Sequence, residues 1–363
     1  MLYYYFSSLV DQYSIFNLVK YLTFRGGASL ITALFLCLVF SPAIIRWLKS
    51  KQIEGQPIRD DGPKWHLEIK RGTPTMGGII ILGSLVISTL LWADLSNIYI
   101  WIVLYVTCGF GIIGFLDDFL KISRNTHKGL SAKLKLILQF IIASFALVWV
   151  FNISPPQLAG LFAFPFLKDL IFYFGIVSWC LIASLIVVGS SNAVNLTDGL
   201  DGLAIVPIII ASGVFGLIAY IVGNSIFSGY LNLFYIPGTG EILIFCTSLV
   251  GAGLGFLWFN APPASVFMGD TGSLSSGASI GIISVITRHE VVLAIVGGLF
   301  VLEAISVIVQ VISFKLTGKR IFQMAPLHHH FEKKGWSEST IVIRFWIIAS
   351  VLALIGLSTL KLR

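Results

Sequence analysis

The stretch Asn192–Gly202, NAVNLTDGLDG, separates two long apolar runs where a membrane protein would ordinarily place a simple turn. It carries two carboxylates, Asp198 and Asp201, and two amide side chains, Asn192 and Asn195. The aspartates are three apart, so a helix beginning here would put both on one face of its first turn. Gly189, Gly199 and Gly202 would let backbone come close to a ligand. A helix N-cap would account for one aspartate. Two carboxylates with two amides, in a chain holding only 17 acidic residues, point instead to a site.

Outward from this stretch, composition sets the fold class. The 363 residues are 56% hydrophobic and 11% charged, with a mean hydropathy of +0.92. A soluble domain carries roughly 25% charged residues, so the chain reads as an all-α integral membrane protein, one polytopic domain over residues 1–363. Allowing about 20 apolar residues per crossing gives about ten transmembrane helices. They fall at 22–47, 73–93, 97–117, 133–151, 169–190, 200–221, 241–259, 273–287, 291–314 and 340–360. The eighth is short, and the turn Arg288-His289-Glu290 after it is the weakest division.

Ten crossings put the loops 48–72, 118–132, 191–199, 260–272 and 315–339 on one side. These loops hold Lys49, Lys51, Arg59, Lys64, Lys70, Arg71, Lys121, Arg124, Lys128 and the run from Lys315 to Lys334, whereas the opposite loops hold only Lys168 and Arg288. By the positive-inside rule the first set is cytoplasmic and both termini are periplasmic. The segment 152–168, with Pro155, Pro156 and Pro165, reads as a short interfacial excursion. Tyr3, Tyr4, Tyr5 and Phe6 read as an interfacial aromatic segment, without a signal peptide's basic region. Cys37, Cys108, Cys180 and Cys246 lie singly in apolar runs, as small hydrophobes. The net charge of +7 has no basic face on a soluble module, so nucleic acid is not an expected partner.

Every polar cluster falls on the cytoplasmic set, which is how one active site would be assembled from distant segments. Asp117-Asp118 in GFLDDFLK repel one another unless a cation or nearby lysines such as Lys121 intervene. A carboxylate pair at a helix C-terminus would also oppose the helix dipole. In NAPPASVFMGDTG, 260–272, two prolines force an irregular segment before Asp270 opens the next helix. Phe267 is either an interface anchor or a platform for a base. PLHHHFE, 326–332, gathers His328, His329 and His330, half of the six histidines. Adjacent histidines rarely converge on one metal, so phosphate contacts or acid–base work fit better than zinc. RGTPTMGG, with Lys70, Arg71, Thr73 and Thr75, offers cations, hydroxyls and backbone amides to an anion without being a P-loop. Glu303 and Gln310, seven apart in the ninth span, share a helix face and serve either function or a neighbouring helix. Carboxylates, lysines and histidines at one membrane face suggest Mg²⁺-assisted phosphoryl chemistry.

FLDDFLK, NAVNLTDGLDGLA, FMGDTGSL and MAPLHHHFEKKGW, in this order, closely resemble the signatures of the phospho-N-acetylmuramoyl-pentapeptide transferases. That family lies within the polyprenyl-phosphate N-acetylhexosamine 1-phosphate transferases, and PLHHHFE separates it from their other branches. The resemblance implies a bacterial inner-membrane enzyme of peptidoglycan biosynthesis. It would move phospho-MurNAc-pentapeptide from UDP-MurNAc-pentapeptide to undecaprenyl phosphate, giving lipid I and UMP. It further implies Asp117 as base on the lipid phosphate with Asp118 beside it, Mg²⁺ on Asp270 with Asp117 and Asp118, and His328 as the essential histidine. Lys70, Thr75, Lys121, Asn195, Asp198, Asp201, Phe267, Gln310, His329 and His330 would line the substrate site, Phe267 stacking on uracil, and Lys133 would contact a phosphate. An alternative Asp270 nucleophile stays open. A homodimer is also implied, for which Gly251, Gly253 and Gly255 would permit close helix packing. The rivals are a sister transferase using UDP-GlcNAc and a cation- or proton-coupled transporter, whose carboxylates would spread through membrane depth.

Overall fold

The apolar runs become helices because each can satisfy its own backbone in lipid, and local signals stop them. The computed structural model describes residues 1–52, 72–124, 126, 129–164 and 170–361. A short α1 (Leu2–Ser8) precedes α2 (Leu22–Lys51), α3 (Gly78–Trp92), α4 (Ile98–Ser123), α5 (Ala132–Ile153) and α6 (Ile176–Thr197). Then follow α7 (Ile205–Val222), α8 (Ser225–Leu231), α9 (Ile242–Asn260), α10 (Gly269–Ile286), α11 (Glu290–Val296), α12 (Gly298–Thr317), α13 (Leu327–Lys333) and α14 (Glu338–Ser358). Asn97 caps α4 through the Tyr99 amide, and Ser131 and Ser337 cap α5 and α14. The excursion between α5 and α6 is an antiparallel pair, β1 (Leu161–Ala163) with β2 (Ile171–Tyr173).

Among the described residues, eight helices are long and apolar enough to cross a membrane: α2, α4, α5, α6, α7, α9, α12 and α14. The two remaining expected crossings are occupied differently. The apolar α3 has only 15 residues. The eighth begins four residues earlier than its hydropathy suggests, at Gly269, and carries serines and glycines along its length. The ninth is broken at Gly297 into α11 and α12.

α10 lies at the centre, buried from Thr271 to Ile286 and packed on α4 and α6. Its hydroxyls are satisfied locally, Ser275 donating to Thr271 O at 2.8 Å and Ser284 to Gly281 O at 2.7 Å. Its small residues let α6 approach, so that Ser190 and Ser191 donate to the carbonyls of Gly277 and Leu274 at 2.8 and 2.9 Å. Close packing of this kind is what holds helices together in lipid, where apolar side chains gain little by leaving the acyl chains.

The glycines expected to serve a dimer are used inside the chain. A Cβ at Gly251 would lie 2.1 Å from the Leu30 carbonyl oxygen, and one at Gly255 2.6 Å from Cys37 Cβ, both on α2. One at Gly253 would meet Ile209 of α7 at 2.7 Å. Their smallness closes α9 onto its own neighbours, so they give no face to a second copy. The aromatic N-terminal segment also folds back: Tyr4 donates to Asp94 at 2.6 Å and the Arg25 guanidinium lies 4.3 Å over the Tyr3 ring.

Candidate active site

The helix ends nearest the expected cytoplasmic face converge. α4 runs five residues beyond Asp118, so the aspartate pair is not a helix terminus meeting water. Asp117 and Asp118 are 3% and 2% exposed, inside a helix and against the start of α10. Asp118 accepts hydrogen bonds from the backbone amides of Asp270 (3.2 Å) and Thr271 (3.0 Å) and from the Thr271 hydroxyl (2.8 Å). It thereby caps α10 from another helix, a favourable place for an anion. The fit requires Gly269, whose φ is +71° and whose Cβ would lie 2.7 Å from both Asp118 Oδ2 and Thr75 Oγ1.

Asp270 faces this pair. Its Oδ1 accepts from Asn195 Nδ2 at 2.8 Å, and its Oδ2 from Lys135 Nζ at 2.6 Å and Lys121 Nζ at 3.2 Å. Lys121 also sits 2.6 Å from Asp117 Oδ2, whose other oxygen accepts from the Leu130 amide at 2.8 Å. One oxygen from each of Asp117, Asp118 and Asp270 lies within 4.8 Å of the others. Three hard oxygen donors this close suit a divalent cation such as Mg²⁺. All three carboxylates are engaged, Asp118 by the α10 backbone and Asp117 and Asp270 largely by lysines, which a cation displaces more readily than helix amides.

Lys135 is not among the residues that the sequence singles out; Lys133, expected to contact a phosphate, is its neighbour on the same helix. Lys133 is exposed, and Lys135 is the one that reaches Asp270. The signal is Gln139, four residues on and therefore on the same helix face, which is buried and accepts from Asn192 Nδ2 at 2.8 Å. A buried glutamine in an apolar helix marks the inward face.

Asp198 and Asp201 do not open a helix. α6 ends at Thr197 with Asp198 as its C-cap, α7 starts only at Ile205, and turns connect them. Burial, followed by the charges of Asp270, Asp118 and Asp201, pushes the Asp198 carboxyl up to about 8. Asp201, 6% exposed, accepts from the Ala264 amide at 3.0 Å and anchors the proline loop. Two of the nearby glycines abut protein, Gly199 against His328 and Gly202 against Trp346, whereas a Cβ at Gly189 would be in open space.

Thr75 and Phe267 adjoin the cluster through a short backbone pairing. The Phe267 amide donates to Pro74 O at 2.9 Å, and the Gly77 amide donates to Phe267 O at 2.8 Å. Thr75 Oγ1 is buried without a hydrogen-bond partner among the described residues. Lys70 lies outside the described residues. The intramembrane polar residues of α12 hold the histidine segment. Glu303 accepts from the amides of Leu327 (2.6 Å) and His328 (3.2 Å), and Gln310 bonds the backbone of Ile321 and Phe322. His329 Nδ1 lies 2.6 Å from Glu332 Oε2, and His330 Nδ1 accepts from the Gln323 amide at 3.1 Å. The histidine segment thus abuts the turn that carries Asp198, at Gly199.

The region 100–288 matches glycosyl transferase family 4, and residues 70–82 match signature 1 of phospho-N-acetylmuramoyl-pentapeptide transferases. The chain is 59% identical over 355 residues to the phospho-N-acetylmuramoyl-pentapeptide transferase of Granulibacter bethesdensis, covering 98% of each chain. It is 57% identical to the enzyme of that name from Maricaulis maris over 100% of both chains. With the one from Dinoroseobacter shibae the identity is 55% over 99% of both.

Proposed function

Because the chain belongs to the phospho-N-acetylmuramoyl-pentapeptide transferase family, we propose that it transfers phospho-MurNAc-pentapeptide from UDP-MurNAc-pentapeptide to undecaprenyl phosphate. The products are lipid I and UMP, and the place is the bacterial inner membrane, with the site on the cytoplasmic face and both termini periplasmic. The observation that carries this reading is the meeting of Asp117, Asp118 and Asp270 with Lys121 and Lys135 at one set of helix ends. A soluble nucleotide-sugar and a membrane-held acceptor can both reach such a place. Carboxylates gathered at one face do not suit a transporter's relay through membrane depth.

Asp117 and Asp270 would hold Mg²⁺, with Asp118 fixing the backbone from which Asp270 projects. The cation, when bound, would offset charge on the pyrophosphate being cleaved. Lys121 and Lys135 are placed to neutralise the transferring phosphoryl group once substrate displaces them from the aspartates. Asp117 takes the proton of the acceptor phosphate. Both oxygens of Asp270 are engaged, by Asn195 on one side and the lysines on the other, which supports direct attack by the acceptor over a covalent Asp270 intermediate. Thr75, Asn195, Asp198, Asp201 and Phe267 line the nucleotide side, with Phe267 stacking on uracil. Lys133 contributes charge at the rim, and Lys70 contributes charge to the substrate. His329, oriented by Glu332, and His330 with Gln310 border the pyrophosphate, and His328 is required for turnover. A homodimer, if formed, uses faces other than the α9 glycines.

The test is UMP release by purified protein in detergent, with and without Mg²⁺. Release requiring the muramoyl donor, undecaprenyl phosphate and Mg²⁺ together is the expected result. Release from UDP-GlcNAc instead moves the chain to the sister branch, and release from neither, by folded protein, overturns the reading.

A further inference from the structure

His328 is 0% exposed, and so is Glu303 beneath it. Glu303 accepts the two amides that open α13, and its Oε1 lies 3.3 Å from His328 Nδ1. Neither ring nitrogen has another hydrogen-bond partner among the described residues. Leaving both nitrogens unpaired in the interior would be expensive, and the carboxylate is placed to take the proton of Nδ1. The opposite nitrogen faces backbone: a Cβ built on Gly199 would lie 2.2 Å from Nε2, 3.0 Å from Cε1 and 3.2 Å from Cδ2. The ring thus lies edge-on against the turn that carries Asp198. His329 is differently placed, only partly buried and paired through Nδ1 with Glu332.

We infer that Glu303 and His328 form a buried buttress behind the Asp198–Gly199 turn, and that His328 serves turnover by positioning this turn rather than by touching substrate. Glu303 fixes the ring, the ring fixes Gly199, and Gly199 sets where Asp198 stands relative to Asp270. The spacing leaves no room for a methyl group, so the turn and the ring specify one another. This account rests on the transferase reading for its activity measurement, and on geometry alone for the contact.

The test is second-site rescue. Gly199→Ala forces its methyl into the imidazole, and His328→Asn keeps an amide near the position of Nδ1 while removing Nε2. Each single variant is expected to lose about a hundredfold in kcat, the scale of a small misplacement in a catalytic site. The double variant is expected to regain at least about tenfold over the worse single, because the methyl fills the space the ring vacates. Its melting temperature should recover in parallel, and that needs no substrate. Glu303→Gln, which keeps one acceptor oxygen for the α13 amides and turns the other into a donor, should loosen the hold on the ring and lower turnover in folded protein. A double variant no better than the worse single in both kcat and melting temperature, with wild type active, overturns the buttress. Recovery of melting temperature without any UMP release by wild type would spare the buttress and sink the transferase reading.

Discussion

Two charged clusters, at opposite ends of the helices, resolve the same electrostatic problem in different ways. Near the start of α2, Arg25 meets Glu241 in a bidentate pair at 2.5 and 2.9 Å, and both partners also bond backbone, at Trp92 O and the Asp94 amide. One cation answers one anion there. At the other end, among the described residues, Asp117, Asp118 and Asp270 face Lys121 and Lys135. The first arrangement pairs one cation with one anion and fastens segments more than 200 residues apart. The second gathers three carboxylates about two described lysines, an arrangement suited to taking up a cation.

The largest expected contrast comes from deleting one acid at each end. Asp270→Asn should lower kcat by at least about a thousandfold, as removal of a principal electrostatic group in a site does, in protein that still folds, with the melting temperature lowered only by the loss of the Lys121 and Lys135 pairs. Glu241→Ala should leave the turnover of folded protein intact and destabilise by about 3–5 kcal/mol through the stranded Arg25. Turnover assays beside thermal unfolding in detergent would separate the two. An active Asp270→Asn enzyme would remove that residue from the site.

A sharper version compares neighbours. Lys135→Met should reduce kcat/KM by about a hundredfold, whereas Lys133→Met should stay within about threefold, the effect of a rim charge on encounter. Equal losses would mean that substrate draws Lys133 inward.

The smallest effect concerns Asp198. Its carboxyl is held up at about 8 when no cation is present, so the folded state binds a proton that the unfolded chain releases near 4. Stability must then decline as pH rises from about 4 to about 8, where the folded form at last ionises. Melting temperatures of the cation-free protein should fall over that window, and the fall should flatten in Asp198→Asn.

Much of this site was legible because its chemistry is foreign to its surroundings. Aspartates, asparagines and histidines in a chain of apolar helices stand out, and the positive-inside pattern grouped them before any contact was known. What stayed hidden was set by packing. The three-residue spacing of Asp198 and Asp201 suggested one helix face, but α6 ends before them and turns carry both. Lys133 and Lys135 differ only in the face they present, a matter of rotation that composition does not encode. Glu303 was conspicuous as an intramembrane acid, yet its partners are backbone amides on a segment 24 residues away. Ser and Gly along α10 blurred its start, because their role is to admit α6 and not to meet lipid.

That last feature bears on how the protein is made. A segment such as α10, whose serines and glycines suit neighbours better than acyl chains, gains little from partitioning alone into the bilayer as it leaves the ribosome. α4 and α6 emerge earlier and supply the surfaces it needs. Integration of Asp270 is thereby tied to the prior presence of its partners, so the candidate site is assembled by the order of synthesis as much as by its final contacts.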